Sequence, residues 1–255
     1  MAWSLDAGLR GKSLIVTGAA GGIGAAVLEA AASSGMRVMG TDIENTRLNV
    51  VVKSASAFGE VRGIPLDISD LGHQRDLLVE AKRLYGGVDC LVHTAAVLKR
   101  QYELSDVSES DWDLQVDANQ KATFFLNRSA ADLMKEQGRP GAIVDYSSVD
   151  AFTGGLGGSI AYSATKGAVL TMVRGLARLY GPFGIRINAI VPGAVDTPMF
   201  RSGLHETVED YLKLILLGRV AHPKELASVS LFLLSEHASY ITGTSVVVDG
   251  GWLRR

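Results

Sequence analysis

The sequence predicts an α/β fold: a single doubly wound parallel β-sheet flanked by helices on both faces. Three observations carry this. Short β-branched apolar runs alternate with longer helical segments along the whole chain, as expected for strands joined by helical crossovers. The first run, Lys12 to Thr17, feeds straight into a glycine-rich turn. No linker, repeat or low-complexity stretch interrupts the alternation, so residues 1–255 are expected to form one domain.

The elements follow in order. KSLIVT (12–17) reads as a strand buried on both faces. IGAAVLEAAASS (23–34) is an alanine-rich helix closed by Gly35. RVMG (37–40) is the second strand, ending at Thr41 and Asp42. A weaker helix is expected at 45–57, a strand at 61–66, and a helix at 70–85 stopped by Gly86 and Gly87. VDCLVH (88–93) is the fourth strand, and one long helix then spans about 110–137. Strand AIVDYS (142–147) precedes a Gly-rich loop, a helix at 160–180 and strand IRINAIV (185–191). Helices at 206–216 and 223–234 and a last strand, TSVVV (244–248), complete the series.

Composition narrows the function classes. Apolar residues make up 47%, enough for a large core, and 25 basic against 27 acidic side chains give a net charge of −2. A disordered chain is excluded, because it would have few apolar groups to bury. Without a Lys/Arg cluster, nucleic acid and membrane surfaces are poor partners. One cysteine permits neither an internal disulfide nor a Cys-based zinc site, and the five histidines lack ligand spacing, so no metal is expected. No basic-then-apolar leader opens the chain, and no apolar run reaches about 18 residues. A cytoplasmic location is the expectation.

In sheets of this kind a ligand sits at the carboxyl ends of the strands. The turn after the first strand, Thr17 to Gly24 (TGAAGGIG), places Gly18, Gly22 and Gly24 where backbone must approach a pyrophosphate. The helix beginning at Ile23 then offers free N–H groups to negative charge. Glycines at such a turn are also common for structural reasons alone, and Asp42 decides between the readings. A carboxylate ending the second strand can accept hydrogen bonds from ribose hydroxyls and repels a 2′-phosphate. NAD is therefore expected over NADP.

Tyr162 and Lys166 stand four apart at the start of a helix, on one face. A free phenol is a poor base at neutral pH. A neighbouring ammonium favours the phenolate and is expected to lower its pKa, suiting it to exchange a proton with an alcohol or ketone. Ser148, at the end of the preceding strand, can hydrogen-bond the reacting oxygen, with Ser147 as the alternative. Asn119 lies inside the long helix, where asparagine is disfavoured; it either serves a buried network or is merely exposed.

Taken together these motifs resemble the short-chain dehydrogenase/reductase family. The resemblance rests on TGAAGGIG (17–24), Asp42, Asp67-Ile68, Asn119, Ser148, YSATK (162–166), NAIVPG (188–193), Thr197-Pro198, YITG (240–243) and VDGG (248–251), and spans about residues 9–252. It implies a Rossmann-type fold and a catalytic set of Asn119, Ser148, Tyr162 and Lys166. Tyr162 would be the general acid/base and Ser148 would orient the substrate oxygen. Lys166 would bind the nicotinamide ribose and tune Tyr162, and Asn119 would hold a water in a proton relay. Asp67 and Ile68 would flank the adenine. Ala95 would also contact the coenzyme, and Pro192, Gly193, Val195 and Thr197 would line the nicotinamide. The family's usual Asn-Asn-Ala-Gly is here His93-Thr94-Ala95-Ala96, and His93 is expected to be packed and hydrogen-bonded rather than catalytic.

The function expected is hydride transfer between NAD(H) and a secondary alcohol or ketone. The alternatives are a 3-oxoacyl-thioester reductase and a non-catalytic NAD-binding protein. The substrate pocket is expected between Val97–Arg100, Asp150–Thr153 and a lid at about 194–217. Asp150, Phe152, Met199, Phe200, Leu204 and Tyr211 are its candidate walls. The helix after Tyr162 is apolar or small on nearly all faces, so a homotetramer, or at least a homodimer, is expected.

Overall fold

The computed structural model describes residues 8–155, 158–202 and 207–254. The strands are β1 (Ser13–Thr17), β2 (Arg37–Asp42), β3 (Val61–Pro65), β4 (Cys90–His93), β5 (Gly141–Tyr146), β6 (Ile185–Pro192) and β7 (Ser245–Val248). All pair in parallel, in the order β3-β2-β1-β4-β5-β6-β7. The helices are α1 (Gly22–Ser33), α2 (Asn45–Ala55), α3 (Leu71–Tyr85), α4 (Glu109–Val116), α5 (Ala122–Glu136), α6 (Asp150–Thr153), α7 (Ile160–Tyr180), α8 (Pro198–Arg201), α9 (Val208–Leu212) and α10 (Pro223–Leu234).

The central strands β1, β4, β5 and β6 are buried along nearly their whole length because both faces are covered. Leu14 and Val16 point into a core with Val27, Leu28, Leu48 and Leu226 of α1, α2 and α10. Ile15, between them, points the other way, into a core with Leu77, Leu126, Val169 and Val173 of α3, α5 and α7. Each large side chain buried this way contributes about 1.5–3 kcal/mol. Both layers pack on one sheet, and the winding reverses between β1 and β4. After β1 the chain turns toward β2; after β4 it turns toward β5. The diverging connections open a crevice at the carboxyl edge, where this architecture binds ligands.

Three local features differ from the sequence expectation. The long helix at 110–137 is interrupted by a π-helical turn, Asp117–Lys121, between α4 and α5. Such turns are rare and carry one extra residue; this one turns Asn119 fully into the interior. The helix expected at 206–216 is reduced to α9. Thr207 caps it, its Oγ1 accepting from Asp210 N. Beyond it Ile215 buries its side chain, and Leu217 N donates to Gly250 O at 3.1 Å, pulling the chain onto the C-terminal loop. Two short helices, α6 and α8, were not expected. The second starts with Pro198 after Thr197, whose Oγ1 accepts from Phe200 N at 3.1 Å.

Candidate active site

The turn after β1 packs so closely that only glycine fits. Gly18 has φ +67°, and a Cβ there would lie 2.7 Å from Ala95 N. A Cβ on Gly22 would lie 2.6 Å from Thr197 Cγ2, and one on Gly24 would strike the Gly18 carbonyl. Beside this turn runs a cleft of about 300 Å³, bordered by Ile23, Asp42, Asp67, Ile68, Ala95 and Thr197 as well as the three glycines. Asp42 is fixed in its wall: Oδ2 accepts from Ala20 N at 2.9 Å and Oδ1 from Glu44 N at 3.0 Å. No side chain caps the first turn of α1, so its N–H groups remain available to an anion. Glycine cradle, helix N-terminus and strand-end carboxylate fit a dinucleotide. Arg47 of α2 also borders the cleft. Its sequence neighbours gave no sign of this, because only the helix phase brings it round to the crevice.

Beneath the cleft lies a chain of buried polar groups whose direction can be worked out. Thr123 Oγ1 donates to Asn119 O at 2.7 Å, so it must accept from His93 Nε2 at 2.9 Å. That places the imidazole proton on Nε2, and Nδ1 accepts from Thr17 Oγ1 at 2.7 Å. His93 is therefore neutral; burial, with the Lys166 charge adding to it, pushes its pKa down to about 3. It is the packed, hydrogen-bonded histidine expected. Asn119 clamps the segment after β4, with Oδ1 accepting from Val97 N at 2.7 Å and Nδ2 donating to Val97 O at 2.8 Å. Nδ2 also donates to Thr165 Oγ1 at 3.2 Å, tying the π turn to α7.

Tyr162, Ser163 and Lys166 are all buried on α7. Lys166 Nζ donates to Tyr146 O at 2.8 Å and sits 5.5 Å from the centre of the Tyr162 ring. Burial pushes the Lys166 pKa down to about 8, with Asp145 acting the other way. The two candidate serines separate clearly. Ser147 faces the core and donates to Lys166 O at 2.8 Å. Ser148 borders the substrate cavity, accepts from Asp150 N at 3.1 Å and hydrogen-bonds the Tyr162 phenol.

Among the protein's own groups, those that raise the Tyr162 pKa outweigh those that lower it. Burial raises the Tyr162 pKa above that of free tyrosine, and the Asp150 charge raises it further; Arg100 and the Ser148 hydrogen bond act against both. Desolvation penalises the phenolate more than the local donors favour it. Asp150 is itself pushed up by burial, while Ser159 Oγ, donating to Oδ2 at 3.0 Å, and Arg100 pull it down.

The cavity next to Tyr162 measures about 120 Å³. Ser148, Asp150, Tyr162, Pro192, Gly193 and Val195 border it, with Arg100, Met199, Phe200 and Tyr211. Ile23, Thr197 and Met199 border both this cavity and the cleft, so the two spaces adjoin. Phe152 is corrected: it is 54% exposed and does not border the cavity. Two residues beyond Asp150 on a helical turn, it points away from the side Asp150 faces. Leu204 lies outside the described residues. Trp252, which sequence reasoning missed, closes the cavity from the C-terminal end, packed edge-on to Tyr211 with centroids 5.8 Å apart. Among the described residues no cluster of His, Cys, Asp and Glu could hold a metal ion.

Sheet order, glycine turn and the Ser148–Tyr162–Lys166 group fit an oxidoreductase, and comparison with known proteins agrees. Residues 18–253 match the family model described as enoyl-(acyl carrier protein) reductase. The chain is 35% identical over 244 residues to a 3-oxoacyl-[acyl-carrier-protein] reductase of Thermotoga maritima, covering 95% of this chain and 98% of that one. It is 35% identical to an L-rhamnose 1-dehydrogenase (NAD(P)(+)) of Azotobacter vinelandii, covering 94% and 96%. The crystal structure of a short-chain type dehydrogenase/reductase from Mycobacterium marinum superposes with a TM-score of 0.91 at 29% identity, covering 97% of each chain. The chain belongs to the short-chain dehydrogenase/reductase family. It is an oxidoreductase, and the Azotobacter relative is one named for NAD(P)(+).

The glycine packing makes a direct prediction. Gly18→Ala places a methyl against Ala95 N in a left-handed backbone. Coenzyme affinity should fall by about tenfold or more, equivalent to about 1.4 kcal/mol, while far-ultraviolet circular dichroism stays that of the wild type. Calorimetric titration with NAD reads the loss.

Proposed function

We propose that this protein interconverts a secondary alcohol and its ketone with NAD(H), in the cytoplasm. The observation that carries the reading is that Ser148 and Tyr162 border a small cavity which adjoins the coenzyme cleft. Gly18, Gly22, Gly24, Asp42, Asp67, Ile68 and Ala95 would hold the coenzyme along the cleft. Pro192, Gly193, Val195 and Thr197 would bound its reactive end. Bound NAD supplies the hydride acceptor and a positively charged ring.

The chain's own residues handle the proton. Ser148 Oγ donates to the reacting oxygen and fixes it next to Tyr162 Oη. In reduction the neutral phenol, held protonated by burial, gives its proton to the forming alkoxide. In oxidation the phenolate form of Tyr162, favoured by the Lys166 ammonium, takes the alcohol proton and becomes the neutral phenol. Both amide hydrogens of Asn119 are engaged, so a relay water would donate to the main-chain carbonyl, which keeps one lone pair beside the Thr123 bond. Asp42, already accepting two backbone N–H groups, would accept from ribose hydroxyls and repel a 2′-phosphate. The cavity is small and carries the Asp150 carboxyl, so it favours a small alcohol with a further hydroxyl over a long acyl thioester. A thioester reductase is the second reading, supported by the names of the Thermotoga relative and of a human (3R)-3-hydroxyacyl-CoA dehydrogenase 32% identical to this chain.

We propose that the protein is a homotetramer, built on dimers that pair α5 and α7. Along α7, Ala164, Thr171 and Gly175 leave a small-residue stripe exposed, and a side chain on Gly175 would meet open space. Wild type should sediment as an oligomer at micromolar concentration, and Thr171→Arg should shift it to a smaller species. A wild-type monomer would contradict this.

Two variants test the chemistry. Tyr162→Phe keeps the ring and removes the proton carrier. Turnover with the best alcohol of a panel that includes polyols and hydroxy acids should drop by about 10²–10⁴-fold, with calorimetric NAD affinity little changed. Asp42→Ala should weaken NAD binding and raise kcat/KM with NADP. A wild type that already prefers NADP would overturn the reading of Asp42.

A further inference from the structure

The carboxyl ends of the strands carry a row of polar side chains in register. Thr17 of β1 pairs with His93 of β4, and His93 pairs with Asp145 of β5. Thr17 and His93 are satisfied by the directional chain described above. Asp145 is not. It is fully buried, and Asn127 of α5 donates from Nδ2 to its Oδ2 at 2.6 Å. That leaves Asp145 Oδ1 and Asn127 Oδ1, two acceptors of one acid–amide pair, both buried without a donor. A buried acceptor left without a donor loses its water and gains nothing in return.

One proton resolves both. Placed on Asp145 Oδ1, it is donated to Asn127 Oδ1 while Asn127 Nδ2 donates back to Oδ2, the two-bond ring that a carboxylic acid and an amide form. We infer that Asp145 is held as a neutral carboxylic acid by Asn127, and that it is a positioning residue which, by staying neutral, leaves the Lys166 charge undivided for Tyr162. The catalytic part of this inference rests on the chemistry proposed for Tyr162 and Lys166; the protonation state does not.

The surroundings agree. Lys166 of α7 is the charged group facing Asp145, and among the described residues no ion pair joins them. Lys166 Nζ bonds Tyr146 O instead. From β4 comes the neutral His93, from β6 Ala189 and from α5 Asn127, none of them charged. Burial pushes the Asp145 pKa up to about 7, with the Asn127 hydrogen bond and the Lys166 charge pulling the other way. Were Asp145 ionised, its charge would oppose the phenolate that Lys166 favours.

The sign of the pH dependence follows. The folded-state pKa lies above the unfolded value, so the stabilisation is complete below the unfolded pKa and is lost as pH rises through the folded one. Asp145→Asn keeps a two-bond ring, amide to amide, with no proton to lose. Its melting temperature relative to wild type should therefore climb between pH 4 and about pH 7 and level off beyond.

Infrared spectra of the full-length wild type at pH 6 decide the protonation state directly. Surface carboxyls are ionised there, so the expected result is a residual carboxylic-acid C=O band that disappears on titration above pH 7 and is absent from Asp145→Asn. Only carboxylate bands at pH 6 would overturn the inference, even if Asp145→Asn failed to fold. The kcat/KM ratio of Asp145→Asn to wild type for alcohol oxidation should rise by about twofold from pH 5 to pH 7, below the Lys166 transition near pH 8, as the wild-type carboxyl ionises. A ratio that is equally low at both pH values would mean that Asp145 is an ionised counter-ion of Lys166, and would overturn its positioning role. Loss of all activity in the wild type, with the infrared band present, would instead count against the proposed chemistry.

Discussion

The reversal of winding between β1 and β4 is the constraint on which the site depends. Two loops leave the same edge of the sheet in opposite directions, and their bases must still touch. Gly18 meets that demand by bringing its backbone against Ala95 in a conformation where a side chain would collide. Above this contact the crevice widens toward Asp42 on one side and toward Ser148 and Tyr162 on the other. The cleft and the cavity next to Tyr162 therefore adjoin at Ile23, Thr197 and Met199 because of strand order, before any individual side-chain role is considered.

The catalytic groups are held by a second, buried framework. The π turn turns Asn119 inward, where its amide takes both backbone groups of Val97 and reaches Thr165 on α7. The chain from Thr17 through His93 and Thr123 to the Asn119 carbonyl ties the first strand to the same turn. A histidine at position 93 suits this because a neutral imidazole has one donor and one acceptor, matching the hydroxyls on either side. Burial that secures these bonds also sets the electrostatics. It raises the Tyr162 pKa, against which the Arg100 charge and the Ser148 hydrogen bond act.

Much of this could be read from residue order alone. β-branched runs, the TGAAGGIG turn and the Tyr162–Lys166 spacing located the sheet, the cleft and the buried phenol and ammonium beside each other on α7, because each is a local pattern. The separation of Ser148 from Ser147 needed coordinates, since adjacent residues at a strand end face opposite ways. The π turn was hidden because one extra residue hardly disturbs helical periodicity. Phe152 was placed in the pocket by nearness to Asp150, but a helical turn sends the two in different directions. Asp145 sat in an unbroken strand run and gave no sign of its partner Asn127, which lies 18 residues earlier on another element. The burial that raises the phenol pKa was hidden because charge spacing is visible in a sequence and desolvation is not.

The central claim is that hydride passes from a substrate carbon to a coenzyme in the crevice while Tyr162 carries the proton. The most direct test follows the label. A secondary alcohol deuterated at the carbinol carbon is oxidised by the wild-type protein in ordinary water with NAD, and the reduced coenzyme is examined by nuclear magnetic resonance. The account predicts deuterium on one face of the dihydronicotinamide, transferred without exchange. Reduced coenzyme carrying solvent hydrogen there, or ketone formed without reduced coenzyme, would contradict it.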